Sequence, residues 1–166
     1  MTNTCLVKVT HTYEFHQSPN KSLRPALRSI FKNGVCSDLN LVVGEKSFAV
    51  NKCIIAVRSV PLAAMLRKDP QVTQLILECD QDPQLFETLL YWVYSANAEM
   101  PEDVLAVIEL YFMAYDFQVL DLMQRCENEL INKISAQNVT DILIKLHPHL
   151  KRPSKHANVV EDAELL

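Results

Sequence analysis

Glycine is nearly missing from this sequence: Gly34 and Gly44 are the only two in 166 residues. With so few, neither diphosphate-cradling loop can be written, GxGxxG or GxxxxGK followed by Ser or Thr. That argues against the common nucleotide-binding loops, though not against every ligand. There is no CxxC among the five cysteines, Cys5, Cys36, Cys53, Cys79 and Cys126. A zinc ribbon and a thioredoxin motif therefore have no support. Their odd number and wide spacing point to free, mostly core thiols in a reducing compartment, cytoplasmic, nuclear or both. Positive charge is not in excess. The net charge is −4 and the pI about 5.7, whereas phosphate-backbone binders are usually basic, so no nucleic-acid partner is expected. No run of about 18 apolar residues exists, so no membrane span is expected. The N-terminus lacks the basic start and apolar block of a signal peptide.

Catalytic and metal-binding patterns are also wanting. Five histidines occur, His11, His16, His147, His149 and His156. A zinc site needs three or four convergent ligands, and no spacing supplies them. A cysteine nucleophile needs a base or cation to lower its pKa, and no local motif offers one. We expect no metal, no cofactor and no enzymatic activity.

What is present is apolar sequence, 49% of the chain, in short periodic stretches. From Cys5 to Phe15 the odd positions are mostly apolar and the even ones mostly polar, which predicts a strand with one buried face. Leu23, Leu27, Ile30 and Phe31 follow helical spacing, and Asn33-Gly34 ends that helix. Asp38 to Val43 and Lys46 to Val50, joined by Gly44-Glu45, predict a β-hairpin. Two short helices follow, Cys53–Val57 and Leu62–Leu66, then a short buried strand at Leu75–Leu77.

The second half reads as helical. Asp82 caps a helix with Pro83 at its first position. Its core residues are Leu85, Phe86, Leu89, Leu90 and Val93. Pro101 starts the next helix, with a stripe of Val104, Val107, Ile108, Tyr111 and Tyr115. Val119, Leu122, Met123, Cys126, Leu130 and Ile134 form another stripe. Ser135 caps a last helix through Leu146. The expected class is α+β, a small, mainly antiparallel sheet flanked by a cluster of α-helices, with an extra N-terminal strand. The divisions expected are 1–22 as strand and linker, 23–146 as the folded domain with a short C-terminal helix, and 147–166 as a flexible polar tail.

The stretch from Ser37 to Ser59, SDLNLVVGEKSFAVNKCIIAVRS, resembles the BTB/POZ signature. Three further pieces match in order: FETLLYWVY at Phe86–Tyr94, Cys126-Glu127 within Asp116–Leu130, and Ser135–Leu143. The resemblance spans roughly Leu23 to Leu146. It implies a protein–protein interaction scaffold, a homodimer that recruits other proteins. Many such domains recruit a cullin scaffold as substrate adaptors of ubiquitin ligases, and others recruit transcriptional corepressors. A monomeric adaptor of the Skp/elongin-C type is the alternative.

The resemblance also assigns residues. The dimer interface would use Leu23, Leu27, Ile30 and Phe31, with Asp38, Asn51 and Lys52 beside it. Asn51 replaces the family's usual His. Asp38 and Lys52 match a charged pair. Either they satisfy each other, or Asp38 accepts backbone hydrogen bonds at a strand start. A cullin-type partner surface would use Leu66, Phe117, Val119 and Leu122, although helical spacing alone reads the last three as core. Cullin-binding members carry a φ-x-Glu link before the third strand, and Arg67–Gln74 contains none. Cys5–Phe15 fills the place of a strand exchanged across the dimer.

Overall fold

The computed structural model describes residues 22–77 and 82–150. The expected strand at Cys5–Phe15, Cys79 and residues 151–166 lie outside the described residues.

The hairpin forms from β1 (Leu39–Val43) and β2 (Lys46–Val50), in register from Leu39↔Val50 to Val43↔Lys46. Gly44 takes φ +56°, the left-handed value wanted at the first position of a two-residue hairpin turn. Helices α2 (Lys52–Arg58) and α3 (Val60–Lys68) then carry the chain across the hairpin. They return it to β3 (Gln74–Leu77), which lies parallel to β1. The sheet order is β2-β1-β3. The sheet is thus mixed rather than mainly antiparallel. The reason is the two-helix crossover, because a strand that returns after a crossover can run parallel to β1, which no tight turn permits. At the sheet margin β3 buries Leu77 but leaves Ile76 66% exposed, so it is half-buried and not the fully buried strand expected.

Helix α1 (Leu23–Asn33) ends at Gly34, φ +59°, where the amides of Gly34 and Val35 bond back to the carbonyls of Phe31 and Ile30. Helix α4 (Pro83–Ser95) starts as expected: the Asp82 carboxylate accepts the Gln84 amide at 2.8 Å and Pro83 follows it. Helix α5 (Val104–Asp116) starts three residues later than expected, because Asp103, not Pro101, supplies the capping carboxylate. Its buried face is Val107, Ile108, Leu110, Met113 and Ala114, while Tyr115 is exposed. This helix is apolar nearly all round and lies among α4, α6 and α7, so the stripe expected from the sequence covers only part of its buried face.

Helix α6 (Leu120–Lys133) packs along α5, with Leu122 and Cys126 fully buried. Helix α7 (Val139–Leu150) begins beyond a turn held by Asn138, whose side chain accepts from the Ser135 amide and donates to the Lys133 carbonyl. It continues to Leu150, four residues into the stretch expected as tail.

One core joins these layers. Phe86 sits at its centre, with ring centroids 5.6 Å from Phe48 and 5.4 Å from Phe117. Leu41, Val43, Ile55, Leu62, Leu89 and Leu90 are fully buried around it.

Candidate interaction surfaces

The far end of α1 is locked to the fold. Phe31 is buried, stacked on Tyr94 at 5.1 Å and edge-on to Tyr91 at 4.8 Å. Just beyond it, Asn51 ties three segments together. Its side-chain amide donates to the carbonyls of Val35 (3.1 Å) and Cys36 (2.7 Å). Its side-chain oxygen accepts from the Tyr94 hydroxyl at 2.9 Å, and its backbone amide donates to that hydroxyl at 2.7 Å. Burial pushes the Tyr94 pKa up, with the Asn51 amide working the other way. Asn51 is therefore an internal hub with its polar groups paired. Within the single chain it is only 9% exposed.

The near end of α1 is different. Leu23 is 73% exposed and Leu27 half-buried. Val35, past the helix, is also exposed. Ile30 is partly buried against the core. Of the four apolar positions assigned to an interface, only Leu23 and Leu27 are presented outward to a useful extent.

Asp38 and Lys52 do not meet through their side chains. The Asp38 carboxylate accepts the backbone amide of Lys52 at 2.7 Å, and the Lys52 ammonium donates to the Pro70 carbonyl at 2.9 Å. The backbone-acceptor reading describes Asp38, whose bond holds the α2 start against the β1 start.

A second face forms where the α2–α3 link meets the α5–α6 link. The Ser59 hydroxyl donates to the Phe117 carbonyl at 2.8 Å, and the Arg58 guanidinium pairs with Asp121 at 2.6 Å. Leu66, Phe117, Val119 and Leu122, assigned to a partner surface, are all at most 8% exposed. They belong to the core of the single chain. Beside them stand residues the sequence reading passed over. Val57 is 84% exposed, Leu120 70% and Val60 48%. Each adjoins a residue of those two bonds in the chain. The available signal was one of phase, since Leu120 lies between two buried positions and must face away from both.

Cys126 is packed inside, where burial pushes its thiol up to about 12. A thiol held protonated is no nucleophile at neutral pH. Among the described residues no group of three His, Cys, Asp or Glu could hold a metal ion, and no helix is long and apolar enough to cross a membrane.

The model of the BTB/POZ domain matches residues 27–134. The chain belongs to the BTB/POZ family. Relatives of this BTB/POZ chain include mouse TD and POZ domain-containing protein 4, 25% identical over 98% of this chain and 48% of its own length. Human rabankyrin-5 is 30% identical over 61% of this chain and 8% of its own. Human kelch repeat and BTB domain-containing protein 2 is 28% identical over 74% and 20%. The chain thus spans half or less of the relatives it matches. Among solved structures, the BTB domain of human gigaxonin superposes with a TM-score of 0.55 at 21% identity, over 64% of this chain and 89% of that one. The BTB domain of zebrafish PATZ1 gives 0.58 at 20% identity, over 75% and 100%. These two establish the shared fold. Domains of this family are protein–protein interaction modules, and the BTB/POZ chain described here is one of them.

Proposed function

We propose that this BTB/POZ domain forms a homodimer through the outward flank of α1 and recruits a partner protein on the α2–α3/α5–α6 face. The observation that carries the dimer is Leu23, 73% exposed on a helix whose other end is locked into the core. Exposed apolar stripes on a rigid element signal association, and a two-fold pairing of α1 with its copy covers the stripe on both chains at once.

Light scattering at micromolar concentration tests this. The expected mass is twice that of the 18.9 kDa chain. Leu23→Arg should give a folded monomer, because its side chain is already in water before association. Leu27→Arg should have the stronger effect. A clean monomer for the unmodified chain overturns the dimer and favours the monomeric adaptor.

For the second face, the partner class that the family supplies is a cullin scaffold. What supports it is the exposed group of Val57, Val60 and Leu120 around the Arg58–Asp121 pair. What weakens it is the link after α3. There Asp69 accepts the Gln71 amide and Pro70 receives Lys52, and no φ-x-Glu is present. Losing one interface anchor commonly costs about 2 kcal/mol or more. We therefore expect micromolar, not nanomolar, binding of the cullin N-terminal region by calorimetry. Leu120→Arg and Val57→Arg should each weaken it at least tenfold. Nanomolar binding that ignores both substitutions overturns this assignment of the face.

A further inference from the structure

We propose that the outer edge of β2, with the cavity beside it, is a strand-addition site for an extended acidic peptide that carries one large apolar side chain. The edge follows from the hairpin. Its two-residue turn closes on Val43 and Lys46. A closing pair of this kind exchanges both hydrogen bonds, and the pairs alternate from there. Phe48 and Val50 therefore bond to β1, whereas Ser47 and Ala49 turn their N–H and C=O away from it. Among the described residues no backbone bond from another element meets those four groups. Unpaired donors and acceptors in a row are what an added strand completes.

The cavity gives the edge selectivity. It has a volume of about 370 Å³ and lies between the end of α1, β2 and α4. Ligand pockets start at about 300 Å³, so one large side chain fits. Its deep walls are aromatic, Phe31, Phe48 and Tyr91. The α1 terminus forms its other margin, where a Cβ on Gly34 would stand 3.6 Å from that of Ala49.

The charge around the mouth points to an acidic peptide. Glu87 lines the cavity but is 3.8 Å from Lys46. Glu45, the other nearby carboxylate, sits in the hairpin turn. The Arg28 guanidinium lies over the Tyr91 ring at 4.4 Å. Lys32 lines the cavity with no ion-pair partner among the described residues. Lys32 thus lines the cavity with no carboxylate of its own among the described residues, and Arg28, which also donates to the Asn97 carbonyl, lies against Tyr91, one of the cavity walls. A carboxylate next to the apolar residue of an added strand would meet them, and cation contacts also raise the rate of encounter.

The test is a titration of the full chain with a capped synthetic pentapeptide, Asp-Val-Phe-Val-Glu, followed by amide NMR and hydrogen exchange. The expected result is saturable binding at or below millimolar peptide. The amides of Ser47 and Ala49 should shift and exchange at least tenfold more slowly. Ser47→Pro, which removes one outward donor at an edge where proline is tolerated, should weaken binding at least tenfold. Lys32→Glu should do the same without touching the backbone, which covers the case that the proline variant is unstable. A peptide with alternate N-methyl groups, or with Lys in place of its acids, should fail to bind. The proposal is overturned if the pentapeptide leaves Ser47 and Ala49 unperturbed, or if the N-methylated peptide binds as well as the parent. It is also overturned if protection arises without peptide as protein concentration rises, since a second copy then occupies the edge.

Discussion

Helix α1 and the α5–α6 link both carry closely set apolar residues, yet the fold treats them oppositely. At α1 the spacing Leu23, Leu27, Phe31 runs from water into the core, with exposure falling from 73% to 8%. At the link, Phe117, Val119 and Leu122 are all closed in, and Leu120 between them is thrown outward. The difference is what lies on top. At the link Phe117 packs on Phe86 and its carbonyl accepts from Ser59, while only the far half of α1 is clasped, by Tyr91, Tyr94 and the Asn51 hub. An apolar period reports that a face is buried against something. Whether that something is the same chain or another is decided by the neighbouring elements.

The sharpest way to break this comparison is to truncate the two kinds of leucine. Leu122→Ala should lower unfolding free energy by about 2–5 kcal/mol, as fully buried leucines do. Leu120→Ala, one helical step away, should stay within about 0.5 kcal/mol. Urea unfolding of both variants checks this, and similar losses at the two sites would show that the core and surface assignments are wrong.

The clasp on α1 comes next. Asn51→Ala strands the carbonyls of Val35 and Cys36 and one bond of Tyr94. Leaving buried polar groups unpaired costs about 1–3 kcal/mol. Denaturation should show a loss in that range. Tyr94→Phe, which strands the Asn51 amide and side-chain oxygen, should fall near its lower end.

Alkali supplies a third contrast, between buried and exposed thiols. Burial raises Cys126 to about 12, while an unfolded thiol titrates near 8.5. A raised folded pKa means that the unfolded state loses its proton first. The stability contributed is therefore complete below about pH 8.5 and disappears as pH climbs through the folded value of about 12. Tyr94, raised in the same direction by burial, adds to the decline above its usual range. Thermal melting between pH 8 and 11 should show falling midpoints, and Cys126→Ala should flatten part of that slope. At neutral pH a thiol reagent should label Cys36 and Cys53, both exposed, long before Cys126, as read by mass mapping of the modified peptides. Last comes the exposed pair at the second face. Arg58→Ala should cost about 1 kcal/mol or less through the loss of Asp121, and its loss of partner binding should exceed its loss of stability.

Much of the architecture is written locally. Asn33-Gly34, Gly44-Glu45 and Asp82-Pro83 each end or start an element where the physics of left-handed φ, a tight turn and a carboxylate cap requires it. The hairpin, the two short helices and the helical second half follow from period and punctuation, and the ordered motifs from Asp38 to Leu143 carry the family. These features depend on residues a few positions apart, so the chain states them without help.

The tertiary structure alone decided the rest. It set β3 parallel to β1, because a two-helix crossover leaves direction open until the helices pack. It made Asn51 a hub, since its partners Val35, Cys36 and Tyr94 are 15 to 43 positions away. It turned Phe117, Val119 and Leu122 into core and Leu120 into surface, because a helix exposes only the side its neighbours leave uncovered. Local rules choose elements, and long-range packing chooses which of their faces remain for a partner.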